Sequence, residues 1–559
     1  MKKWMTLLMA CLPLFPLLAG AVPARAAGKT TFKHTPITGS FIQPWLYNSF
    51  SEERMDKEFA RMAEYGMDTL IMGDTARLPS GGDRWEVIYP TKLEELGGPT
   101  DTDQISILLE YCKKYDMKLY IGIGLEDDWW SRDLSNPDDA AWLKESCRLS
   151  AKIIRELYDV YAGEYGEAFG GYYWVHEIWN HNSWNMDTTR ELYAQALADG
   201  FNIVLEAINE VDPTKPLLFS PFSTRVGFAS KESMQAFYTR FFQLANFREI
   251  DAMLPMDNIG GGGQQLEYLD EWTKAYADAV KDSGSPIQFW SNCESFVQPK
   301  GDEAWTTCTV DRFVQQVEIT SKYCSKIVSF SWNHYMSPYN TVEGFDRAYM
   351  DYLVTGELES NPPSLPEKMV ASLENETLCV DWEPAQDDYG VARSYVYKVK
   401  DGKETLYHTN LVVRYDGVDY RPLLDNYFVD YDYDKTGVNV YCVQIMDCAG
   451  NLSEKGYVVV DGENPGSEEK FPVKTGGKGY YTEEEYRRLA TELDLSVPEE
   501  TTAPDSTRQT TVPPKTGGGV SRLGLWITVV TLVLLGGCCA AGIVLRRRKG
   551  KKRSGKADG

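Results

Sequence analysis

The chain has 559 residues, with 82 acidic against 57 basic side chains and a formal net charge of −25 at neutral pH. So acidic a surface repels nucleic acid and anionic polymers, which excludes a nucleic-acid partner and leaves a neutral polymer as the compatible one. The length exceeds one domain, and the 11 cysteines have neither metal-type spacing nor the pattern of a disulfide framework.

In chain order, residues 1–26 read as a secretory signal peptide. Lys2 and Lys3 make a positive start, residues 5–18 are an apolar core, and Ala24-Arg25-Ala26 offers small residues at the cleavage positions. A faint lipoprotein box, Leu8-Met9-Ala10-Cys11, lies inside that apolar core. The mature chain is expected to start at Ala27.

Residues 35–355 alternate strand-like with helix-like segments, the pattern of a βα protein. Strands are predicted at 37–45, 69–73, 118–124, 171–177, 217–221, 250–256, 287–293 and 327–332. Amphipathic helices are predicted at 52–65, 105–115, 140–161, 188–209, 266–283 and 310–324. The expected fold is α/β, a (β/α)8 TIM barrel whose active site lies at the C-terminal ends of its strands. An open doubly wound sheet would need a glycine-rich phosphate loop after the first strand. That turn reads Gln43-Pro44-Trp45-Leu46-Tyr47, without one.

Residues 366–462 change to short strands and turns, the texture of a small all-β sandwich. Trp382, the turn Asp388-Tyr389-Gly390-Val391 and the stretch 447–453 resemble a fibronectin type III module, which implies a spacer or a binder. Residues 463–516 are a linker, with a short helix at 481–493 opened by the capping box of Thr482 and Glu485 and a threonine- and proline-rich stalk from 496. Five cysteines fall in the larger domain and three in the smaller, odd counts that suit buried free thiols with one or two bridges at most.

A second apolar run, 523–545, is long enough for a transmembrane helix, and the basic tail 546–559 places the C-terminus in the cytoplasm. With Val512-Pro513-Pro514-Lys515-Thr516-Gly517 before it, this arrangement resembles the sortase sorting signal of Gram-positive surface proteins, with Pro513 where the commonest form has leucine. The resemblance implies cleavage between Thr516 and Gly517, and sortase, peptidoglycan and the membrane as partners. A plain single-pass anchor is the alternative; both put the bulk of the chain outside the cell.

The chemistry-bearing residues sit at predicted strand ends. Glu177 closes the fourth strand in Gly170-Gly171-Tyr172-Tyr173-Trp174-Val175-His176-Glu177, and Glu294 closes the seventh in Pro286-Ile287-Gln288-Phe289-Trp290-Ser291-Asn292-Cys293-Glu294. A carboxylate ending a buried strand is costly unless paired, solvated or used, and paired acids are what glycosidic cleavage requires. This pair resembles the clan of retaining (β/α)8 glycoside hydrolases, in which the strand-four acid is the acid/base and the strand-seven glutamate the nucleophile. The start Gly39-Ser40-Phe41-Ile42-Gln43-Pro44-Trp45-Leu46, with the run to about residue 340, is similar to an uncharacterised bacterial family of glycoside-hydrolase-like barrels.

The resemblance implies that Trp332 is the aromatic platform under the sugar. Two positions depart from the clan: His176 stands where asparagine is usual, and Asp257 where a tyrosine commonly orients the nucleophile. Trp45, Trp129 and Trp290 are further candidates for stacking on a pyranose, and Gln43, Arg77, Asp128, His176, Asp257 and Asn333 for binding carbohydrate hydroxyls. His176, His181 and His334 beside Asp257 raise a metal-dependent hydrolase or isomerase, but no pair has helical ligand spacing, so no metal and no cofactor is assigned. A carbohydrate-binding adhesin or lectin on a degenerate barrel is the non-enzymatic alternative.

Overall fold

The computed structural model describes residues 31–298, 305–341, 343–374, 376–411, 424–465 and 477–497. The expected signal peptide, the sorting motif with Thr516 and Gly517, the transmembrane helix 523–545, the basic tail and nearly all of the stalk lie outside the described residues. Among the described residues, no helix is long and apolar enough to cross a membrane.

A parallel sheet forms the centre. Its strands, named here first to eighth, are Gly39–Ile42, Thr69–Met72, Lys118–Gly122, Phe169–Trp174, Leu217–Phe219, Ala252–Met253, the split pair Gln288–Phe289 and Ser291–Glu294, and Ile327–Phe330. The first half of the seventh strand pairs with the sixth and the second half with the eighth. At the break, the Trp290 N–H reaches Met253 O at 2.8 Å while the Ser291 N–H reaches Lys326 O at 3.0 Å. Both edges of the sheet therefore belong to one strand, and the barrel is closed.

Each strand is followed by a helix: Glu52–Glu64, Ser106–Lys114, Pro137–Tyr165, Asp187–Val211, Lys231–Leu244, Leu266–Ser283, Val310–Thr320 and Glu343–Thr355. The fifth and eighth of these were expected from the alternating pattern without bounds of their own. All strands run in parallel, so their C-terminal ends share one face.

The C-terminal domain is a β-sandwich. One sheet holds Met369–Glu374, Thr377–Trp382 and Tyr427–Asp430; the other holds Lys403–Leu411, Val391–Lys400, Val438–Asp447, Gly456–Asp461 and Tyr481–Thr482. Leu378, Val380, Trp382 and Phe428 from the first sheet share one core with Val396, Tyr441, Val443 and Val458 from the second. The capping box of Thr482 and Glu485 opens the helix Glu483–Glu492 as expected. The eight cysteines of the described residues are free thiols, all buried except the half-buried Cys324.

Candidate active site

The fourth strand alternates its contacts as a pleated strand must. The Tyr172 hydroxyl donates outward to Ile154 O at 3.1 Å, and Trp174 stacks outward on Phe201 at 4.0 Å. Tyr173 turns inward, edge-on to Phe41 of the first strand at 5.3 Å. Burial, and then the charges of Glu177 and Asp74, keep its phenol un-ionised.

Glu177 follows three residues after this strand. Two indoles fix its backbone: Trp174 Nε1 donates to His176 O at 2.9 Å, and Trp129 Nε1 to Glu177 O at 2.7 Å. Its own Oε2 is buried without a hydrogen-bond partner, and burial lifts its pKa to about 7. A carboxyl at that value carries a proton for a good part of the time at neutral pH, which is what a general acid needs.

Glu294 ends the seventh strand on the same face of the barrel. The Gly261 N–H donates to its Oε2 at 2.8 Å, from the loop of four glycines after the sixth strand. A Cβ on Gly260 would lie 2.5 Å from Phe296 O and 3.0 Å from Glu294 Oε2, so this close approach requires glycine. Arg312 Nη2 donates to Glu294 O at 2.9 Å, and Gln316 Nε2 to the same carbonyl at 3.1 Å. Burial, and then the charge of Asp257, raise the Glu294 pKa.

Asp257 does not face the mouth. It accepts from the Ile259 N–H at 3.2 Å, the Glu294 N–H at 3.3 Å and the Gln316 amide, so it supports the backbone under Glu294 instead of binding carbohydrate. Burial raises the Asp257 pKa to about 6 against the pull of these N–H donors, so both carboxyls of the Asp257–Glu294 pair titrate above the ordinary carboxyl range.

Several other predicted ligands lie elsewhere. Trp332 is fully buried, its Nε1 donating to Glu58 Oε2 at 2.8 Å and its ring edge-on to Tyr65 at 5.6 Å, so it is core and not a platform. The aromatic that ends the eighth strand at the mouth is the half-buried Phe330, 5.8 Å from Phe41 and 6.0 Å from Phe296. Trp290 is buried at the opposite end of the barrel, bonded to Gln288 at 2.9 Å with the Lys326 ammonium over its ring at 5.3 Å. Trp129 is spent on the Glu177 backbone and is buried. His176 is caged by Trp129, Trp174 and Trp142, with neither ring nitrogen bonded, and burial drives its pKa down to about 3. It points away from the mouth, as alternation with Glu177 dictates.

Arg77 is committed to Asp127 through Nε and Nη2, both at 3.0 Å, and Asp128 accepts from Ser80 at 2.7 Å. Asn333 is buried and donates to Gln43 O at 3.2 Å, so these two residues tie the first strand's turn to the eighth's. Trp45 is half-buried, 5.9 Å from His334, and Trp130 stacks on Trp179 at 5.5 Å. These leave partly open rings at the mouth. His181 binds Ser183 and His334 binds Ser331, and among the described residues no group of three or more His, Cys, Asp or Glu side chains is placed to hold a metal ion.

The residue reading missed Asp74, two positions beyond the second strand, whose carboxyl is raised by burial against the pull of Arg77. Its place at a strand end was the available signal. It also missed the glycine loop that cradles Glu294, announced by Gly260-Gly261-Gly262-Gly263.

A family profile described as a domain of unknown function, DUF4434, matches residues 37–342. The chain belongs to this family. The DUF4434 match spans the barrel from before its first strand to past its eighth. No curated protein matches the sequence. Solved structures similar to it include a protein provisionally named an alpha-L-fucosidase from Bacteroides thetaiotaomicron, with 21% identity and TM-score 0.43 over 56% of this chain and 91% of that one. A chitinase from Bacillus thuringiensis has 11% identity and TM-score 0.35 over 76% and 84%. An endo-1,4-beta-D-mannanase from Thermotoga petrophila has 11% identity and TM-score 0.35 over 53% and 88%. The barrel assignment rests on the strand pairing described above.

Proposed function

We propose that the DUF4434 barrel is a glycoside hydrolase acting on a neutral glycan, with Glu177 as general acid/base and Glu294 as nucleophile. The observation that carries this reading is the pair of carboxyls on one face of a closed barrel, one three residues past the fourth strand and one ending the seventh, with half-buried tryptophan rings on the turns after the first and third strands. Protonated Glu177 gives its proton to the departing glycosidic oxygen while the Glu294 carboxylate attacks the anomeric carbon. Glu177, now a carboxylate, then takes a proton from the water that releases the sugar. The glycine N–H on Glu294 Oε2 orients that carboxylate, in place of the tyrosine expected from the clan.

The test is turnover of aryl glycosides and neutral polysaccharides by wild type and two variants. Glu294→Gln should lower turnover by several orders of magnitude, on the order of 10⁴-fold or more, while binding survives. Glu177→Ala should spare activated leaving groups at the first step, and azide should rescue the second. Retention of anomeric configuration is expected for carboxyls about 5 to 5.5 Å apart, and inversion for about 6.5 to 9.5 Å. Wild-type binding without turnover, indifferent to both changes, would end the proposal.

One feature favours a second reading, a carbohydrate-binding surface protein on a degenerate barrel: burial and the charge of Asp257 raise the Glu294 pKa, whereas a nucleophile must be ionised. In that case binding persists in both glutamate variants and falls when Trp45 or Trp130 is truncated. Under either reading we propose a fibronectin type III-like sandwich and display outside the cell through a sortase-processed anchor. The sequence around Thr516 and Gly517 supports the anchor. Replacing Thr516 should leave the protein in the membrane fraction, and unchanged wall attachment would exclude sortase.

A further inference from the structure

The loop leaving Glu294 is held from outside the barrel. Phe296–Val297 pairs antiparallel with Thr306–Thr307, and the Cys308 N–H returns to Ser295 O at 3.0 Å, next to Glu294. The helix that follows, Val310–Thr320, carries Arg312 and Gln316, the side chains that hold the Glu294 carbonyl.

The β-sandwich grips this unit at its return strand and at the helix start. Arg393 Nη2 donates to Thr307 O at 2.8 Å. The Val310 and Asp311 N–H groups, at the helix N-terminus where intrahelical acceptors are absent, donate to Cys448 O and Ala449 O of the sandwich, each at 3.0 Å. A neighbouring contact seats the two domains backbone to backbone: a Cβ on Gly344 would fall 1.4 Å from Tyr389 O. Arg347 Nη2 to Asp388 O at 2.9 Å and the Tyr389 hydroxyl to Asp351 at 2.6 Å complete it. This is not the geometry of a spacer.

We infer that the β-sandwich is a positioning domain for Glu294: through Arg393 and the Cys448 and Ala449 carbonyls it fixes the 305–311 segment and the helix whose Arg312 and Gln316 hold the Glu294 backbone. The kinetic part of this inference rests on Glu294 being the nucleophile; the mechanical part does not. Loop ordering by a docked domain acts on how often the carboxylate is correctly aimed, so it lowers turnover more than substrate affinity.

The experiment uses the full chain purified in detergent and compares wild type with Gly344→Ala, which wedges the interface, and Arg393→Gln, a milder change that leaves both cores intact. Amide exchange is followed over 291–298, 305–312 and 445–451, and kcat and KM are measured on an aryl glycoside. Exchange should rise about tenfold or more in 305–312 and 291–298 for Gly344→Ala, and less for Arg393→Gln. The kcat should fall about tenfold with KM within about twofold. Two results overturn the inference: Val310 and Asp311 amides that stay protected in Gly344→Ala, or amides that open there while 291–298 and kcat stay at wild-type values. If wild type turns over no glycan, the glycosidase reading fails by itself, and exchange over 291–298 still decides whether the sandwich positions Glu294.

Discussion

Trp129 donates its indole N–H to the main-chain carbonyl of Glu177 at 2.7 Å, while Trp174 does the same for His176 at 2.9 Å. Two consecutive carbonyls just past the end of a barrel strand are thus pinned from different elements, the turn after the third strand and the fourth strand itself. The His176 ring is locked between those indoles, and Glu177 turns the other way with one carboxyl oxygen unpartnered. The tryptophans near this end of the barrel therefore act first on backbone geometry.

Trp129→Phe keeps the ring and deletes the donor, leaving the Glu177 carbonyl without its partner. The expected stability cost is about 1–3 kcal/mol, the usual penalty for a buried acceptor left unpaired. Under the glycosidase reading, turnover of substrates with poor leaving groups should fall by about 10- to 100-fold, whereas dinitrophenyl glycosides should be much less affected, because only the former need the Glu177 proton. Equal losses across leaving groups would mean that Trp129 does not aim the acid.

Trp332 separates a platform from a core role by a different measurement. Glu58 is fully buried and is held by Arg54, Ser337 and the Trp332 indole. Trp332→Phe preserves most of the packing against Tyr65 but removes a donor to a buried charge, so about 1.5–3 kcal/mol of stability should be lost in denaturant titration. Glycan affinity of the folded protein should not move. Weakened affinity at unchanged stability would restore the platform.

The barrel was readable because strands buried on both faces are short continuous apolar runs, and eight of them recur between helical patterns. The two helices left without bounds were also written in the sequence: Met234, Phe237, Tyr238, Phe241 and Phe242 repeat at helical spacing, as do Phe345, Ala348, Tyr349, Tyr352 and Leu353. The position of Glu294 at a strand end was legible, since a polar residue closing an apolar run marks the end; Glu177 was expected to close its strand and instead lies three residues beyond it. Where the tryptophans point was not legible, because one or two residues past a strand decide which way a ring turns. Trp332 lies two residues beyond the eighth strand, in the helical turn Trp332–Met336, and swings outward to Glu58 on the first helix. The support of Asp257 from Gln316 crosses 59 positions and leaves no local pattern.

Under the glycosidase reading, Asp257→Asn should move the pH dependence of turnover. Its negative charge is one of the causes that raise the Glu294 pKa, after burial, while the Gly261 N–H and Arg312 act the other way. Removing that charge lowers the pKa, so the rising limb that reports Glu294 ionisation should shift to lower pH by about one unit. The amide can be accommodated: its oxygen still accepts from the Ile259 and Glu294 N–H groups. Gln316, whose Oε1 is buried without a partner, can turn to accept from the new NH2, giving up its bond to the Glu294 carbonyl, which Arg312 still holds. A rising limb that stays in place or moves up would show that Asp257 does not set the charge of Glu294.

Glu177→Gln tests the proposed acid/base carboxyl through stability, independently of any substrate. Its pKa is raised by burial from the ordinary 4.5 to about 7, so the folded state holds this proton more tightly than the unfolded chain does. The stabilisation from that proton is complete below about pH 4.5 and is lost as pH rises through about 7, where folding must bury a carboxylate with an unpartnered oxygen. Glutamine has the shape of the protonated carboxyl and cannot ionise. Wild type and variant should therefore have similar stability at pH 4.5, and the variant should be more stable at pH 8 by on the order of 2 kcal/mol, reduced from the full linkage value because the side chain is only half-buried. Taking the difference between the two proteins cancels every other titrating group that the substitution leaves untouched. Chemical denaturation of both across this range reads it directly. A constant difference would mean that Glu177 is already ionised at neutral pH in the folded protein, which would remove the proton that the proposed general acid must donate.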